Sequence, residues 1–117
     1  ECDSSPAFHE ALKADHVVEV EVHPTIADGL AGNMDPETIT FDLVRRLVDR
    51  MVLAPEAAIA EAVRGLVAQE RVIAEGAGAT AVAALLSGLH VAGRKVAVVV
   101  SGSNIDAELL AGVLRRD

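Results

Sequence analysis

Residues 95–100 read KVAVVV, a lysine followed by five consecutive apolar residues, four of them valine. A continuous apolar run rich in β-branched residues is typical of a strand that is buried on both faces, as in a parallel sheet covered by helices on each side. Such a strand requires hydrogen-bonded neighbours. The segment therefore restricts the chain to folds that are built around a sheet.

The rest of the chain alternates predicted strands with predicted helices. Alternating apolar and acidic residues predict a half-exposed strand at Val17–Val22, and a short strand is also expected at Arg50–Leu53. Apolar residues at helical spacing, with capping residues before them, predict helices at about 6–13, 36–48, 54–70, 79–89 and 106–116. This order predicts an α/β fold with a doubly wound, mainly parallel sheet and helices on both faces. Three or four strands are few for so many helices, so the sheet is expected to be incomplete.

Composition excludes several classes of protein. The chain has 117 residues, of which 51% are hydrophobic, so it is not intrinsically disordered. The single cysteine, Cys2, excludes a disulfide-rich fold and suggests a reducing, cytoplasmic setting. A net charge of -8 argues against a nucleic-acid partner. The uncharged run from Gly76 to Gly93 contains four glycines and predicts a buried helix followed by a loop, not a membrane span.

Three loops could bind a ligand, because ligands of open α/β sheets bind beyond the carboxyl ends of the strands. The first, Ser101–Asp106, directly follows the apolar run; the second is Glu75–Ala79 and the third is Ala27–Gly29. Small residues in these loops would let a flat ligand approach the backbone. Each loop taken singly is more typical of an ordinary turn that uses glycine or asparagine for its backbone freedom than of a ligand site.

Other known motifs do not account for the chain. Gly76-Ala77-Gly78 is followed by Ala79-Thr80-Ala81, so the dinucleotide-binding pattern fails at its third glycine. The four histidines do not share metal-ligand spacing with the cysteine or with a carboxylate pair. These motifs therefore predict neither a nucleotide site nor a metal site.

Four segments, taken together and in this order, resemble a known family: Glu1–Pro6 (ECDSSP), Thr25–Leu30 (TIADGL), Glu75–Ala79 (EGAGA) and Ser101–Asp106 (SGSNID). They resemble the C-terminal part of the catalytic domain of the threonine dehydratases (threonine ammonia-lyases). That family belongs to the fold-type II pyridoxal 5'-phosphate enzymes, the tryptophan synthase β family, which also contains serine racemase. The resemblance implies that the predicted sheet is part of the large cofactor-binding domain of such an enzyme.

The resemblance also implies roles for individual residues. Ser101 matches the serine whose hydroxyl bonds the pyridine nitrogen of pyridoxal 5'-phosphate, and Gly102 would pack close to the ring. Gly29 matches a backbone position beside the cofactor, and Glu75 matches a carboxylate near its edge. Glu1 matches a glutamate that binds a divalent cation in some relatives. The third position of that site is Ala7, which supplies no ligand, so no metal is expected.

The residue that would anchor the cofactor is missing from the matching segments. The family holds the cofactor as a Schiff base on a lysine near the start of the catalytic domain, and the only lysines here are Lys13 and Lys95. Neither lies in the family's Ser-x-Lys context, so no catalytic residue is expected in this chain. Residues 1–117 are therefore interpreted as a single segment from the C-terminal part of a catalytic domain, without an ACT regulatory domain and inactive alone.

The resemblance predicts a lyase that removes water from L-threonine or L-serine to give a 2-oxo acid and ammonia. A serine or aspartate racemase, or a dehydratase of another β-hydroxy amino acid, are the alternatives within the family. A non-catalytic α/β ligand-binding module, or a structural piece, are alternatives from other classes. Expected partners are the amino-acid substrate, the N-terminal part of the same catalytic domain and further copies in a homo-oligomer, with no membrane or nucleic acid.

Overall fold

The computed structural model describes residues 1–115, and helices are its main regular elements. A 3-10 turn at Asp28–Leu30 precedes the second helix, and a π-helical turn at Leu66–Glu70 extends the third. The helices are, in chain order, α1 (Ala7–Ala14), α2 (Ile39–Leu47), α3 (Glu56–Gly65), α4 (Gly76–Leu86) and α5 (Ala107–Arg115). All five predicted helices are thus present. The predicted final residue of the last helix, Arg116, lies outside the described part.

The core lies where α3 packs against α4. The sequence predicts an apolar face of α3 made of Ile59, Val63, Leu66 and Val67. Ile59 and Val63 are fully buried and Leu66 is nearly so, while Val67 is partly exposed. The buried residues of α4 are all small, namely Gly76, Gly78, Ala79, Thr80 and Ala83, so the two helices can approach closely. The buried cluster is dominated by alanine and consists of Cys2, Ala27, Ala54, Ile59, Ala62, Val63, Leu66, Ala74, Ala79 and Ala83.

Helix α2 differs from its predicted form. The sequence predicts a helix that begins at Pro36 and is capped by Asp35. The helix begins instead at Ile39 and is capped by Thr38, whose hydroxyl accepts a hydrogen bond from the Thr40 N–H. The sequence predicts that Phe41, Val44, Leu47 and Val48 form the inner face of this helix. Phe41 is buried, but Leu47 is 75% and Val48 45% exposed, so the last turn does not contribute to the core.

The predicted sheet is not formed within residues 1–115. Their only β pairing is one isolated parallel bridge between Cys2 and Ala54. In this bridge the Asp3 N–H donates to the Ala54 carbonyl oxygen at 3.0 Å, and the Ala54 N–H donates to the Glu1 carbonyl oxygen at 2.8 Å. The bridge has the parallel direction that was predicted, next to the expected strand Arg50–Leu53.

The segment 95–100 departs most from its prediction. It has no ladder partner among the described residues, and Val99 is 78% exposed although burial on both faces was expected. A strand is stabilised by neighbours that accept and donate its backbone hydrogen bonds, and no ladder pairs this segment with another among residues 1–115. The radius of gyration of 14.7 Å is slightly above the roughly 13 Å expected for a closed domain of this length.

None of the helices among residues 1–115 is long and apolar enough to cross a lipid bilayer.

Candidate functional site

Glu75 joins the first turn of α4 to the loop that follows residues 95–100, the Val-rich segment. Its backbone N–H donates to the Gly102 carbonyl oxygen at 3.2 Å, and its carboxylate accepts the Asn104 N–H at 3.1 Å. Glu75 occupies the N-cap position of α4 in an extended conformation, where the positive end of the helix dipole favours a carboxylate. One residue therefore fixes the Ser101–Asn104 loop through both its backbone and its side chain.

Gly78 allows that loop to lie directly on α4. An alanine Cβ at Gly78 would overlap the Ser101 carbonyl oxygen and would lie 3.0 Å from the Gly102 carbonyl oxygen. The obstructing atoms belong to the backbone and cannot rotate away. The Ser101 side chain is exposed, and its hydroxyl makes no hydrogen bond within residues 1–115.

Two features favour glycine at position 102. Its φ of +78° lies in the left-handed region that favours glycine, and a Cβ there would overlap the Glu75 carboxylate. The close approach of Gly102 to Glu75 brings two of the predicted site residues into direct contact.

The Gly29 turn lies against the same end of α4. A Cβ on Gly29 would lie 3.2 Å from the Ala77 Cβ and 4.0 Å from a carboxylate oxygen of Glu75. Just before this turn, the Ile26 carbonyl group lies against Gly76, where a Cβ would overlap its oxygen. The three loops predicted from the sequence therefore meet at the N-terminus of α4, and Gly29, Glu75, Ser101 and Gly102 lie in one cluster.

The sequence predicts a flexible turn at Gly76–Gly78 and a helix from Ala79, which is wrong, because α4 begins at Gly76. These glycines form the first turn of the helix because two other segments of backbone press against it. Glu56 was also missed: it accepts hydrogen bonds from Thr25 and Ile26. No local signal could reveal that contact, since about thirty residues separate the partners.

The Glu1 carboxylate is bonded to backbone N–H groups at the start of α1. Its two carboxylate oxygens accept the N–H groups of Phe8 at 2.8 Å and His9 at 2.9 Å, in the first turn of α1. Residues 1–115 contain no group of three or more His, Cys, Asp or Glu side chains arranged to hold a metal ion. Glu1 therefore acts as a helix cap in this structure.

The two lysines lie outside the cluster. Lys13 is on α1, where its ammonium group pairs with Glu10 at 2.8 Å, and Lys95 is exposed at the start of the Val-rich segment. Two clefts also lie elsewhere: one of about 250 Å³ beside Arg64 and Leu114, and one of about 340 Å³ beside Asp15 and Phe41. Neither cleft is lined by a predicted site residue.

Comparison with known proteins identifies the family. The family model of pyridoxal-phosphate dependent enzymes (PALP) matches residues 1–102. The L-threonine ammonia-lyase of Thermotoga maritima is 42% identical over 114 residues, which are 97% of this chain and 28% of that protein. The resemblance inferred from the four sequence segments is thereby confirmed.

Solved structures give the same result. Maize serine racemase superposes with a TM-score of 0.83 and 27% identity, covering 96% of this chain and 35% of that one. A threonine deaminase from T.th. gives a TM-score of 0.70 and 28% identity, covering 91% and 39%. This chain spans about a third of the length of these proteins. Its neighbours are fold-type II enzymes, consistent with an α/β fold, and the chain belongs to the pyridoxal-phosphate dependent enzyme family.

Proposed function

We propose that this chain supplies the cofactor-ring side of a pyridoxal 5'-phosphate dependent L-threonine/L-serine dehydratase. The observation that carries the proposal is the convergence of Gly29, Glu75, Ser101 and Gly102 at the N-terminus of α4. The identity to a protein named L-threonine ammonia-lyase supports the choice of reaction. The reaction would remove a proton from Cα and hydroxide from Cβ, and the released enamine would hydrolyse to a 2-oxo acid and ammonia.

The residues of the cluster fit the cofactor. Gly29 and Gly102 have no side chains beyond the backbone, so a flat ring can approach them closely. The exposed Ser101 hydroxyl, with no partner among the described residues, is available to donate to a ring nitrogen. When bound, pyridoxal phosphate supplies an electron sink at its ring.

Ser101 would set the electronic character of that ring. A neutral hydroxyl does not protonate a pyridine nitrogen as a carboxylic acid can, so it moderates the withdrawal of electrons. A moderate sink suits elimination. Glu75 would keep the Ser101–Asn104 loop in place through its hydrogen bonds to Gly102 and Asn104.

The lysine that anchors the cofactor would come from residues outside this sequence. Lys13 forms an ion pair with Glu10 on α1, and Lys95 does not belong to the cluster. The relatives are about three times as long as this chain, which supports a contribution from other parts of the catalytic domain. Those parts would also complete a doubly wound, mainly parallel sheet around the exposed 95–100 segment.

The test is a turnover assay on the intact protein with added pyridoxal phosphate. L-Threonine or L-serine should yield a 2-oxo acid and one equivalent of ammonia. Borohydride reduction followed by peptide mapping should place the pyridoxyl group outside residues 1–117. A stable adduct on Lys13 or Lys95 with retained turnover would contradict the proposed origin of the lysine. A protein that binds no pyridoxal phosphate would instead be a ligand-binding module without this chemistry.

Racemisation is the second candidate, favoured by the TM-score of 0.83 to maize serine racemase. The two activities are separated by incubating the protein with L-serine and measuring D-serine and pyruvate together. Formation of D-serine without pyruvate would replace the dehydratase by a racemase, and L-aspartate as substrate would test the aspartate enzyme. A cytoplasmic location fits the lone Cys2, and the net charge of -8 argues against a nucleic-acid partner. Assembly into a homo-oligomer stays a prediction.

A further inference from the structure

Glu56 is the first residue of α3, and its carboxylate holds the segment that leads into the Gly29 turn. One carboxylate oxygen accepts the Thr25 hydroxyl at 2.7 Å, and the other accepts the Ile26 N–H at 2.5 Å. The Thr25 oxygen in turn accepts the Ala27 N–H at 3.0 Å. Three consecutive residues are thus fixed by one side chain from a different element.

The fixed segment is the one that packs on α4. The Ile26 carbonyl group lies against Gly76, and Ala27 is fully buried in the core. The Ala27 carbonyl oxygen accepts the Leu30 N–H at 2.8 Å, which closes the turn around Gly29. A displacement of Ile26 would therefore be passed to Gly29, which lies beside Ala77 and Glu75.

We propose that Glu56 is a positioning residue for the cofactor site: it holds Thr25–Ala27 so that the Gly29 turn lies where the cofactor ring requires it. The inference rests on the proposed function, because it assumes that Gly29 faces the cofactor. The carboxylate of Glu56 bonds Thr25 and Ile26 and makes no hydrogen bond to Gly29, Glu75, Ser101 or Gly102 among residues 1–115.

Both carboxylate oxygens are needed for this role. Each accepts one hydrogen bond, and each donor comes from a different residue. Glutamine has one acceptor oxygen at this position and turns an NH₂ group toward the other donor. Alanine has none, so it releases both Thr25 and Ile26. The effect should therefore grow from Glu56→Gln to Glu56→Ala.

The experiment compares Glu56→Ala and Glu56→Gln with Glu70→Ala in the intact protein. Glu70 is exposed at the end of the π-helical turn and is a matched control for loss of a glutamate. Two quantities are measured well below the unfolding temperature. The first is the affinity of the apoprotein for pyridoxal phosphate, measured from the absorbance of the cofactor. The second is the rate of hydrogen exchange in the peptide spanning Thr25–Leu30.

We expect Glu56→Ala to bind pyridoxal phosphate about tenfold more weakly. This loss corresponds to a Gly29 turn that occupies its binding position about one tenth of the time, because the apparent affinity falls in proportion to that fraction. Exchange in the Thr25–Leu30 peptide should accelerate, Glu56→Gln should recover part of both losses, and Glu70→Ala should match the unchanged protein.

Wild-type affinity in Glu56→Ala, or a loss of affinity without faster exchange in that peptide, would overturn the positioning role and leave the proposed function standing. An unchanged protein that binds no pyridoxal phosphate would overturn the proposed function and this inference with it.

Discussion

Replacing Gly78 by alanine adds one methyl group at the point where the Ser101–Asn104 loop crosses α4. The new Cβ would overlap the Ser101 carbonyl oxygen, and it would lie 2.9 Å from the Ser101 carbonyl carbon. Because these are backbone atoms, the loop must move to admit the methyl group. That movement would stretch the bonds that Glu75 makes to Gly102 and Asn104.

Two opposing effects decide the sign of the change. Alanine is favoured over glycine in a helix interior by about 1 kcal/mol. Overpacking a close contact costs about 1–3 kcal/mol, and each weakened hydrogen bond costs about 1 kcal/mol. With the two Glu75 bonds both weakened, the net expectation is a loss of about 2–4 kcal/mol in the free energy of unfolding. The displaced Ser101 should also bind the cofactor less well.

Gly112→Ala in α5 is the matched control, because nothing lies within 4 Å of the Cβ that it adds. It should gain about 0.5–1 kcal/mol from helix propensity alone. Urea unfolding of both variants of the intact protein gives the free energies, and a pyridoxal phosphate titration gives the cofactor affinity. A Gly78→Ala variant that is stabilised as much as Gly112→Ala and binds the cofactor normally would contradict the expected clash with the Ser101 backbone.

Three further outcomes are expected. Ser101→Ala should weaken pyridoxal phosphate binding or dehydration with little change in unfolding free energy, since the Ser101 side chain is exposed; unchanged affinity and turnover would remove the hydroxyl from the site. Gly102→Ala should cost about 1–2 kcal/mol of stability in urea unfolding, because its φ of +78° strains any side chain; a variant with wild-type stability would contradict that strain. The Lys13 hydrogen bond lowers the pKa of Glu10, so the pair stabilises the fold above the usual glutamate pKa, and this contribution is lost as the pH falls through the lowered pKa. Lys13→Met should return the Glu10 pKa toward its usual value in an NMR titration, and high salt should reduce the difference between the two proteins.

Local pattern predicted the helices well because the energetics that form them are local. The spacing of Ile59, Val63 and Leu66 identified the buried face of α3, and the structure buries all three. The same approach failed at the start of α4. Glycine disfavours a helix by intrinsic propensity, and only the approach of Ile26 and Ser101 makes it necessary there.

Strand pairing could not be read from the sequence, because it depends on a partner elsewhere. The apolar run 96–100 has the composition of a buried strand, yet Val96 is 47% and Val99 78% exposed. Within residues 1–115 the only pairing is the bridge between Cys2 and Ala54. The composition of a segment indicates that it can form a buried strand. Whether the strand forms depends on a partner segment elsewhere in the polypeptide.

The candidate site was predictable only through the family. Gly29, Glu75, Ser101 and Gly102 lie on loops that, taken singly, are typical of turns. Only the resemblance to the family predicts that they belong to one site, and in the structure they lie close together. The roles assigned to these residues stay predictions. Contacts between distant residues, such as Glu56 with Thr25, carry no sequence pattern at all.

The alanine-rich interface between α3 and α4 has a further consequence for the cluster at its end. The buried residues of α4 are glycine, alanine and one threonine, and glycine and alanine lose no side-chain rotamer freedom on folding, so ordering the α4 side of the interface costs mainly backbone entropy. For the same reason this side has few alternative rotamers with which to absorb a disturbance. A shift of α4 must therefore move main chain, and the loops at Ile26 and Ser101 would travel with it as one rigid unit.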